Sequence, residues 1–182
     1  MKRAIIVPAR LSADALGELK DWLAITGTAE DDSLTALLRS ALDMCEAFTG
    51  TAPLEIEAEE LLPAKTGWQT LSSRPVNAIV SLETLDPGGT RTAAPPTDYE
   101  ADIAADGSGR VNLMGKVAGT RLAVRFSAGL APDWEVLPAS MRHGIVRLAA
   151  HHYRERDREP ASVHPPAAVT ALWQPWRRMR LL

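Results

Sequence analysis

The fold class is decided by residues 31–58, which read DDSLTALLRSALDMCEAFTGTAPLEIEA. Over residues 34–48 the apolar side chains recur every three or four positions, which is the period of a helix with one buried face. Gly50 ends that pattern, and residues 54–58 alternate between apolar and charged side chains, as a half-buried strand does. The change of period predicts that helical and β segments occupy separate regions of the chain.

The same helix has a recognisable N-terminus and contains the one cysteine of the chain. Asp31, Asp32 and Ser33 are the expected capping residues, and they place negative charge where a helix N-terminus favours it. Cys45, the single cysteine, falls on the apolar stripe of the helix. We therefore interpret it as a small buried hydrophobe and not as a nucleophile, and one cysteine excludes an internal disulfide.

An earlier helix is predicted from about residue 13 to residue 25. Ser12 is the expected N-cap, Asp14 lies in the first turn, and Gly27 is the expected stop. A third helix is predicted after Pro138, with Met141 and Leu148 on its apolar face, and a short last helix over residues 167–173.

The middle of the chain predicts a mostly antiparallel β region. Turn residues at 86–89 and a tight hairpin connection at 106–109 separate its short alternating segments. The predicted strands are residues 54–58, 68–71, 78–85, 99–103, 110–113 and 121–126.

These elements together predict an α+β fold, in which N- and C-terminal helices form a helical bundle that carries a β insertion. The expected organisation is one domain with an insertion. Its parts are an N-terminal helical part (1–51), the β insertion (52–130), the third core helix (131–160), and a C-terminal short helix and arm (161–182).

The formal net charge of −3 hides a gradient along the chain. Residues 1–60 carry a net charge of −7, and residues 142–182 carry +5. Such ends could associate with copies of the chain or with a complementary partner, or they could be ordinary solvated helix faces. No apolar run is long enough for a membrane span, so we expect a soluble protein that is made in the bacterial cytoplasm.

The sequence offers no convergent set of catalytic residues. The histidines, His143, His151, His152 and His164, lack the spacing and partners of a metal site, and no nucleotide-binding or nucleophile motif is present. We therefore expect no enzyme activity, no metal and no cofactor.

The C-terminal arm combines aromatic and basic residues that are typical of protein interfaces. Trp173 has two equally favoured interpretations: it binds a partner, or it packs on the third helix. For Trp176 an interface is favoured, because Pro175 is expected to turn the chain away from the domain. A nucleic-acid-binding arm is a third alternative, which the acidic body disfavours. The arm's basic residues are Arg177, Arg178 and Arg180.

The order of several motifs resembles the head–tail connector (adaptor) proteins of long-tailed phages and gene transfer agents. Each motif is short, but together they extend over nearly the whole chain. They are EDDSL at 30–34, ALDMCEAFTG at 41–50, RPV at 74–76, VRFSAG at 124–129, HHYRER at 151–156 and ALWQPWRRMRL at 171–181.

The resemblance implies a structural virion protein at the head–tail junction of a phage or phage-like particle. Such adaptors form a ring, typically a dodecamer, under the portal; the ring extends the DNA channel and joins the capsid to the stopper or tail. DNA passes through without sequence-specific binding. The alternatives are a stopper or tail-completion protein, which is expected to be mostly β, or a DNA-binding module.

Roles are expected for two sets of residues, the first implied by the resemblance and the second a hypothesis from the acidic charge of the first helices. The C-terminal arm is the expected portal-binding part, through Trp173, Pro175, Trp176, Arg177, Arg178 and Arg180. The acidic first helices are expected to face neighbouring subunits or the channel, through Asp14, Glu18, Asp21, Glu30, Asp31 and Asp32.

Overall fold

The computed structural model describes residues 2–115, 119–156 and 164–177. Within them the chain forms eight strands and four helices, which confirms the α+β prediction. It divides into two compact units, each built from two chain segments. The β unit comprises Met1–Ala9 and Glu55–Leu130, and the helical unit comprises Arg10–Leu54 and Ala131–Leu182.

The β unit holds two antiparallel sheets. A five-stranded sheet has the order β1-β2-β8-β4-β5, and a three-stranded sheet has the order β3-β7-β6. The strands are β1 (Lys2–Val7), β2 (Ile56–Pro63), β3 (Gly67–Thr70), β4 (Val76–Leu85), β5 (Arg91–Ala93), β6 (Tyr99–Ile103), β7 (Gly109–Leu113) and β8 (Arg121–Ala128).

Strand β8 is the centre of the larger sheet because it pairs along its length with both β2 and β4. Leu122, Val124, Phe126 and Ala128 are buried at every second position, as strand periodicity requires. Side chains from the smaller sheet, such as Val111, belong to the same apolar cluster. This cluster is the core of the β unit.

The alternating segments of the sequence match strands, and the hairpin is confirmed by the pairing of Ile103 with Gly109. Two strands were not predicted. In β1, residues 4–7 are exposed without alternation, so the period that identifies a half-buried strand is missing. Strand β5 has three residues, all exposed, which is too short for any period.

The helical unit contains four helices: α1 (Ala13–Leu23), α2 (Asp31–Thr49), α3 (Ala139–Glu155) and α4 (Ala167–Trp173). Helix α3 packs against each of the other three. The largest fully buried side chains of this unit are those of Trp134, Trp173, Leu19, Leu34, Leu38, Leu54 and Met141. None of the helices in the described ranges is long and apolar enough to cross a membrane.

The helix ends confirm part of the sequence prediction and correct the rest. The Ser12 hydroxyl accepts a hydrogen bond from the Ala15 amide at 3.4 Å, as an N-cap does. Helix α1 nevertheless ends before Gly27, because Ala24 adopts the left-handed conformation and closes the last turn. At α2 the N-cap position is Glu30, without a side-chain capping bond, while Gly50 ends the helix as expected.

Candidate partner-binding surfaces

Trp173 is part of the core of the helical unit. Its side chain is fully buried, its indole Nε1 donates to the Met141 carbonyl at 3.3 Å, and its ring lies 6.0 Å from that of Phe48. Gly144 on α3 provides the space, since a Cβ there would lie 2.2 Å from the indole nitrogen. Of the two alternatives for Trp173, packing on the third helix is the one observed.

The first residues after α4 stay on the helical unit. Gln174–Trp176 form one 3-10 turn, and the Trp176 indole donates to the Ser140 hydroxyl at 3.0 Å. The expectation that Pro175 turns the chain away from the domain is therefore wrong, because proline's fixed φ is also compatible with a helical turn.

Exposed groups remain on this turn. Pro175 and Arg177 are exposed, and Trp176 is half-buried. The Arg177 guanidinium lies 5.2 Å from the centre of the Phe48 ring, within the range of a cation–π contact. We call these three residues the C-terminal surface. Arg178 and Arg180, which the sequence also assigned to the arm, lie outside the described residues.

Three of the six carboxylates assigned to the acidic face have partners inside the helical unit. Glu18 lies 3.3 Å from the Arg142 Nε and accepts a bond from the Trp134 indole. Glu30 accepts a hydrogen bond from the Tyr153 hydroxyl and lies 3.4 Å from the Arg156 guanidinium.

Asp31 is the third, with its carboxylate 2.7 Å from the Lys20 ammonium. Asp14, Asp21 and Asp32 are exposed and form no ion pair with any other described residue. The acidic face is therefore smaller than the sequence suggested, because cations on α1 and α3 and after α3 pair with half of the set.

A shallow groove of about 540 Å³ lies beside α1 and α3. Trp22 is 43% exposed at this groove; its ring makes an edge contact with His143 at 5.3 Å, and the Arg147 guanidinium lies 5.9 Å from it. In the sequence Trp22 recurs with Leu16 and Leu19 at helical spacing, and that periodicity predicts a buried side chain where the structure has an exposed one. The lining residues are Glu18, Asp21, Trp22, Ala139, Arg142, His143 and Val146.

The exposed side of the five-stranded sheet carries ion pairs across strands. Arg91 on β5 binds both oxygens of Glu59 on β2, at 2.7 and 2.8 Å, and also contacts Glu83 at 3.2 Å. Arg125 on β8 binds Glu57 at 2.7 Å. The hydrogen bonds from Arg91 hold the pKa of Glu59 below its usual value. This carboxylate is therefore ionised, and the Arg91 guanidinium balances its negative charge.

A second exposed tryptophan lies on the three-stranded sheet. Trp68 on β3 is 47% exposed, and the Arg110 guanidinium of β7 stacks 4.7 Å from its ring centre. Asp102 on β6 holds Arg110 at 2.7 Å. The exposed face of the small sheet thus presents an aromatic ring with a fixed charge beside it.

Cys45 and His152 have pKa values that are shifted by their surroundings. Burial raises the pKa of the Cys45 thiol to about 12, in agreement with its interpretation as a core residue. Burial and the neighbouring His151 lower the pKa of His152. Among the described residues no three His, Cys, Asp or Glu side chains form a group that could hold a metal ion.

No protein-family model matches the chain, and no curated protein matches it. Solved structures do. A protein in the neck of an empty gene transfer agent (GTA) particle, computed with C6 symmetry, is 27% identical with a TM-score of 0.81.

A protein in the virion of a native GTA particle is 27% identical with a TM-score of 0.75. A protein in the neck of a native GTA particle, computed with C12 symmetry, is 25% identical with a TM-score of 0.78. Each match covers 100% of this chain and 98% of the other. The likeness supports a structural component of a GTA-type neck, at the junction of head and tail.

Proposed function

We propose that this chain is the adaptor of a phage-like particle. Twelve copies form a ring beneath the portal, extend the DNA channel, and join the filled head to the stopper and tail. The observation that carries this proposal is the match over the whole chain to a protein of the GTA neck. The ordered sequence motifs, from the acidic start of α2 to the C-terminal residues, support the same assignment.

The architecture favours the adaptor over a stopper or tail-completion protein. A stopper is expected to be mostly β, whereas this chain has a helical unit with its own core, which includes Trp134 and Trp173. A DNA-binding module needs a cluster of free cations for phosphate. Here Lys20, Arg142 and Arg156 are each paired with a carboxylate of the helical unit.

The C-terminal surface is the proposed contact with the portal. Trp176 and Arg177 belong to the residue types that dominate interface energetics. Both are held by neighbours within the unit, Trp176 by Ser140 and Arg177 by Phe48. Because these side chains are already ordered, little entropy is lost on binding. Arg178 and Arg180 are proposed to extend the same contact.

The exposed carboxylates Asp14, Asp21 and Asp32 are the part of the acidic face available for the channel or for a neighbouring subunit. On a channel wall, negative charge repels DNA phosphates and lets the duplex slide without sticking. A double Asp21→Lys and Asp32→Lys variant separates the two roles: a channel role predicts normal rings with slowed DNA passage, and a subunit contact predicts fewer rings.

Portal attachment is tested by charge reversal at Arg177. Tailless heads that contain the portal are mixed with purified protein, and the bound protein is measured after sedimentation. We expect Arg177→Glu to lower binding at least tenfold. Arg154→Glu is the matched control, since Arg154 is likewise exposed in the helical unit, and it is expected to bind normally.

A shortened chain that ends at Arg177 tests the residues beyond it. The cut must not fall inside α4, because removing Trp173 would remove a core residue. Equal binding by wild-type, Arg177→Glu and shortened chains would show that this surface does not contact the portal. Binding only to heads that already carry another neck protein would favour the stopper instead.

A further inference from the structure

The five-stranded sheet has two open edges, β1 and β5. At an edge, one side of the strand has backbone N–H and C=O groups without a ladder partner, which makes the edge a template for another extended strand. Strand β1 is unusual among edges because its apolar side chains are exposed in succession: Ile5 is 45%, Ile6 46% and Val7 39% exposed.

Natural proteins protect edge strands with charges, prolines or bulges. In β1 the charges lie only at the start, where the Arg3 guanidinium donates to the Ser73 hydroxyl at 2.9 Å. From Ala4 to Val7 every side chain is apolar and none is charged. The pairing with β2 is irregular at Ile6, but the Ile6 side chain is still exposed. Such an edge favours association with another strand.

The opposite edge, β5, differs in length and chemistry. Arg91, Thr92 and Ala93 are all exposed, and the charge of Arg91 is neutralised by Glu59 and Glu83. Thr92 and Ala93 therefore form a short neutral edge that does not repel an apolar strand. Pairing of these two unlike edges between copies is heterologous, and heterologous contacts produce rings where the rotation closes.

We infer that β1 of one copy pairs with β5 of the next copy, so that the five-stranded sheets of adjacent subunits continue into one another around the ring. The occupant of the β1 edge is thus a second copy of this chain. This inference goes beyond the proposed function and rests on its ring alone, which the C6 and C12 symmetry of the similar neck structures supports.

The first test places charge on the β1 edge. A double Ile5→Lys and Ile6→Lys variant introduces the charges that block strand pairing, and Val80→Lys is the matched control. Val80 is a 61% exposed apolar residue of β4 in the same sheet and belongs to neither β1 nor β5. We expect the β1 variant to lose at least tenfold in copies per particle, the control to assemble normally, and both to keep the wild-type circular dichroism spectrum.

The second test identifies what covers the edge. Cysteines replace Ile5 or Ile6, each combined with Thr92→Cys, and assembled particles are treated with a short bismaleimide, whose reach tolerates either register. Cys45 is buried, so the engineered thiols react selectively. We expect a ladder of multimers of this chain from the double variants, and monomers from the single variants.

Normal assembly of the lysine variant would overturn the inference. So would cross-links from the β1 cysteine to the portal or to a tail protein in place of the ladder. Because Arg177→Glu tests portal attachment and these variants test contact between copies, failure of the proposed function and failure of this inference are distinguishable.

Discussion

The two ends of the chain behave in opposite ways. The C-terminal segment, residues 173–182, contains two tryptophans and three arginines, yet Trp173 is fully buried and Trp176 is held by Ser140. The N-terminal strand β1 has no aromatic residue, yet Ile5 and Ile6 are nearly half exposed at a sheet edge. The residue types most enriched at interfaces thus lie partly in the core, and ordinary aliphatic residues lie at the surface.

This difference shows that residue type alone does not locate a binding surface. A tryptophan offers as much apolar area to its own core as to a partner, and the neighbours decide between the two. For Trp173 the neighbour is Gly144, whose lack of a side chain leaves room for the indole against α3. For β1, no described strand lies beyond it in the sheet, and no neighbour buries Ile5 or Ile6 among the residues that the structure describes.

The largest expected effect separates the two tryptophans of the C-terminal segment. Trp173→Ala leaves a large cavity beside Met141 and should cost about 4 kcal/mol of unfolding free energy. Trp176→Ala removes a half-buried ring and one hydrogen bond and should cost about 1 kcal/mol. Urea unfolding followed by far-ultraviolet circular dichroism measures both, and equal losses would contradict the difference in burial.

The next effect concerns Gly144, which makes room for the buried tryptophan. Gly144→Ala forces a Cβ against the Trp173 indole, and overpacking of this kind should cost about 2 kcal/mol. Gly17→Ala on α1 is the control, since a Cβ there meets nothing within 4 Å, and it should stabilise the helix by up to about 1 kcal/mol. Thermal unfolding of the pair gives the sign of each change.

A smaller effect tests the ion pair on the strand beside β1. The hydrogen bonds from Arg91 lower the pKa of Glu59, so their stabilisation is complete above the ordinary glutamate pKa and is lost as the pH falls through the lowered one. Glu59→Gln should therefore cost less than about 1 kcal/mol at pH 7 and flatten the acid dependence of unfolding.

Glu55→Gln serves as its control, because Glu55 forms no ion pair with another described residue. Unfolding midpoints measured from pH 7 down to pH 3 give the comparison. An acid dependence unchanged in Glu59→Gln would show that the pair between Glu59 and Arg91 does not form in solution.

The smallest expected effect is on the stability of β1 itself. Ile6→Thr changes an exposed side chain of an edge strand, and the unfolding free energy should stay within about 0.5 kcal/mol of wild type. Leu62→Ala on the adjacent strand β2 removes a fully buried side chain and should cost about 3 kcal/mol. A loss above 1.5 kcal/mol in Ile6→Thr would show that β1 belongs to the core and is not free to pair.

Much of the fold could be predicted because local periods dominate it. The apolar stripe of α2, its end at Gly50 and the hairpin between β6 and β7 depend on residues close in sequence. The end of α1 could not be predicted in this way, since Ala24 takes a conformation that glycine usually provides.

The candidate surfaces were less predictable because they depend on contacts distant in sequence. The pairing of Glu30 with Tyr153 and Arg156 joins residues more than 120 positions apart, and it removes one carboxylate from the acidic face. Trp176 meets Ser140 across 36 positions, and no local pattern around Pro175 reveals that contact. Charge and aromatic content pointed to these segments but did not reveal which of their side chains are exposed.

The interleaving of the two units has a consequence for how the chain is made. Each unit consists of two segments that are separated in the sequence, so neither unit is one continuous stretch of the chain. The β unit is complete once residue 130 has left the ribosome, whereas the helical unit lacks its central tryptophan until residue 173 has been synthesised. A polypeptide released before that point would combine a complete β unit with an unfinished helical core, and it would be a substrate for proteases before it could enter a ring.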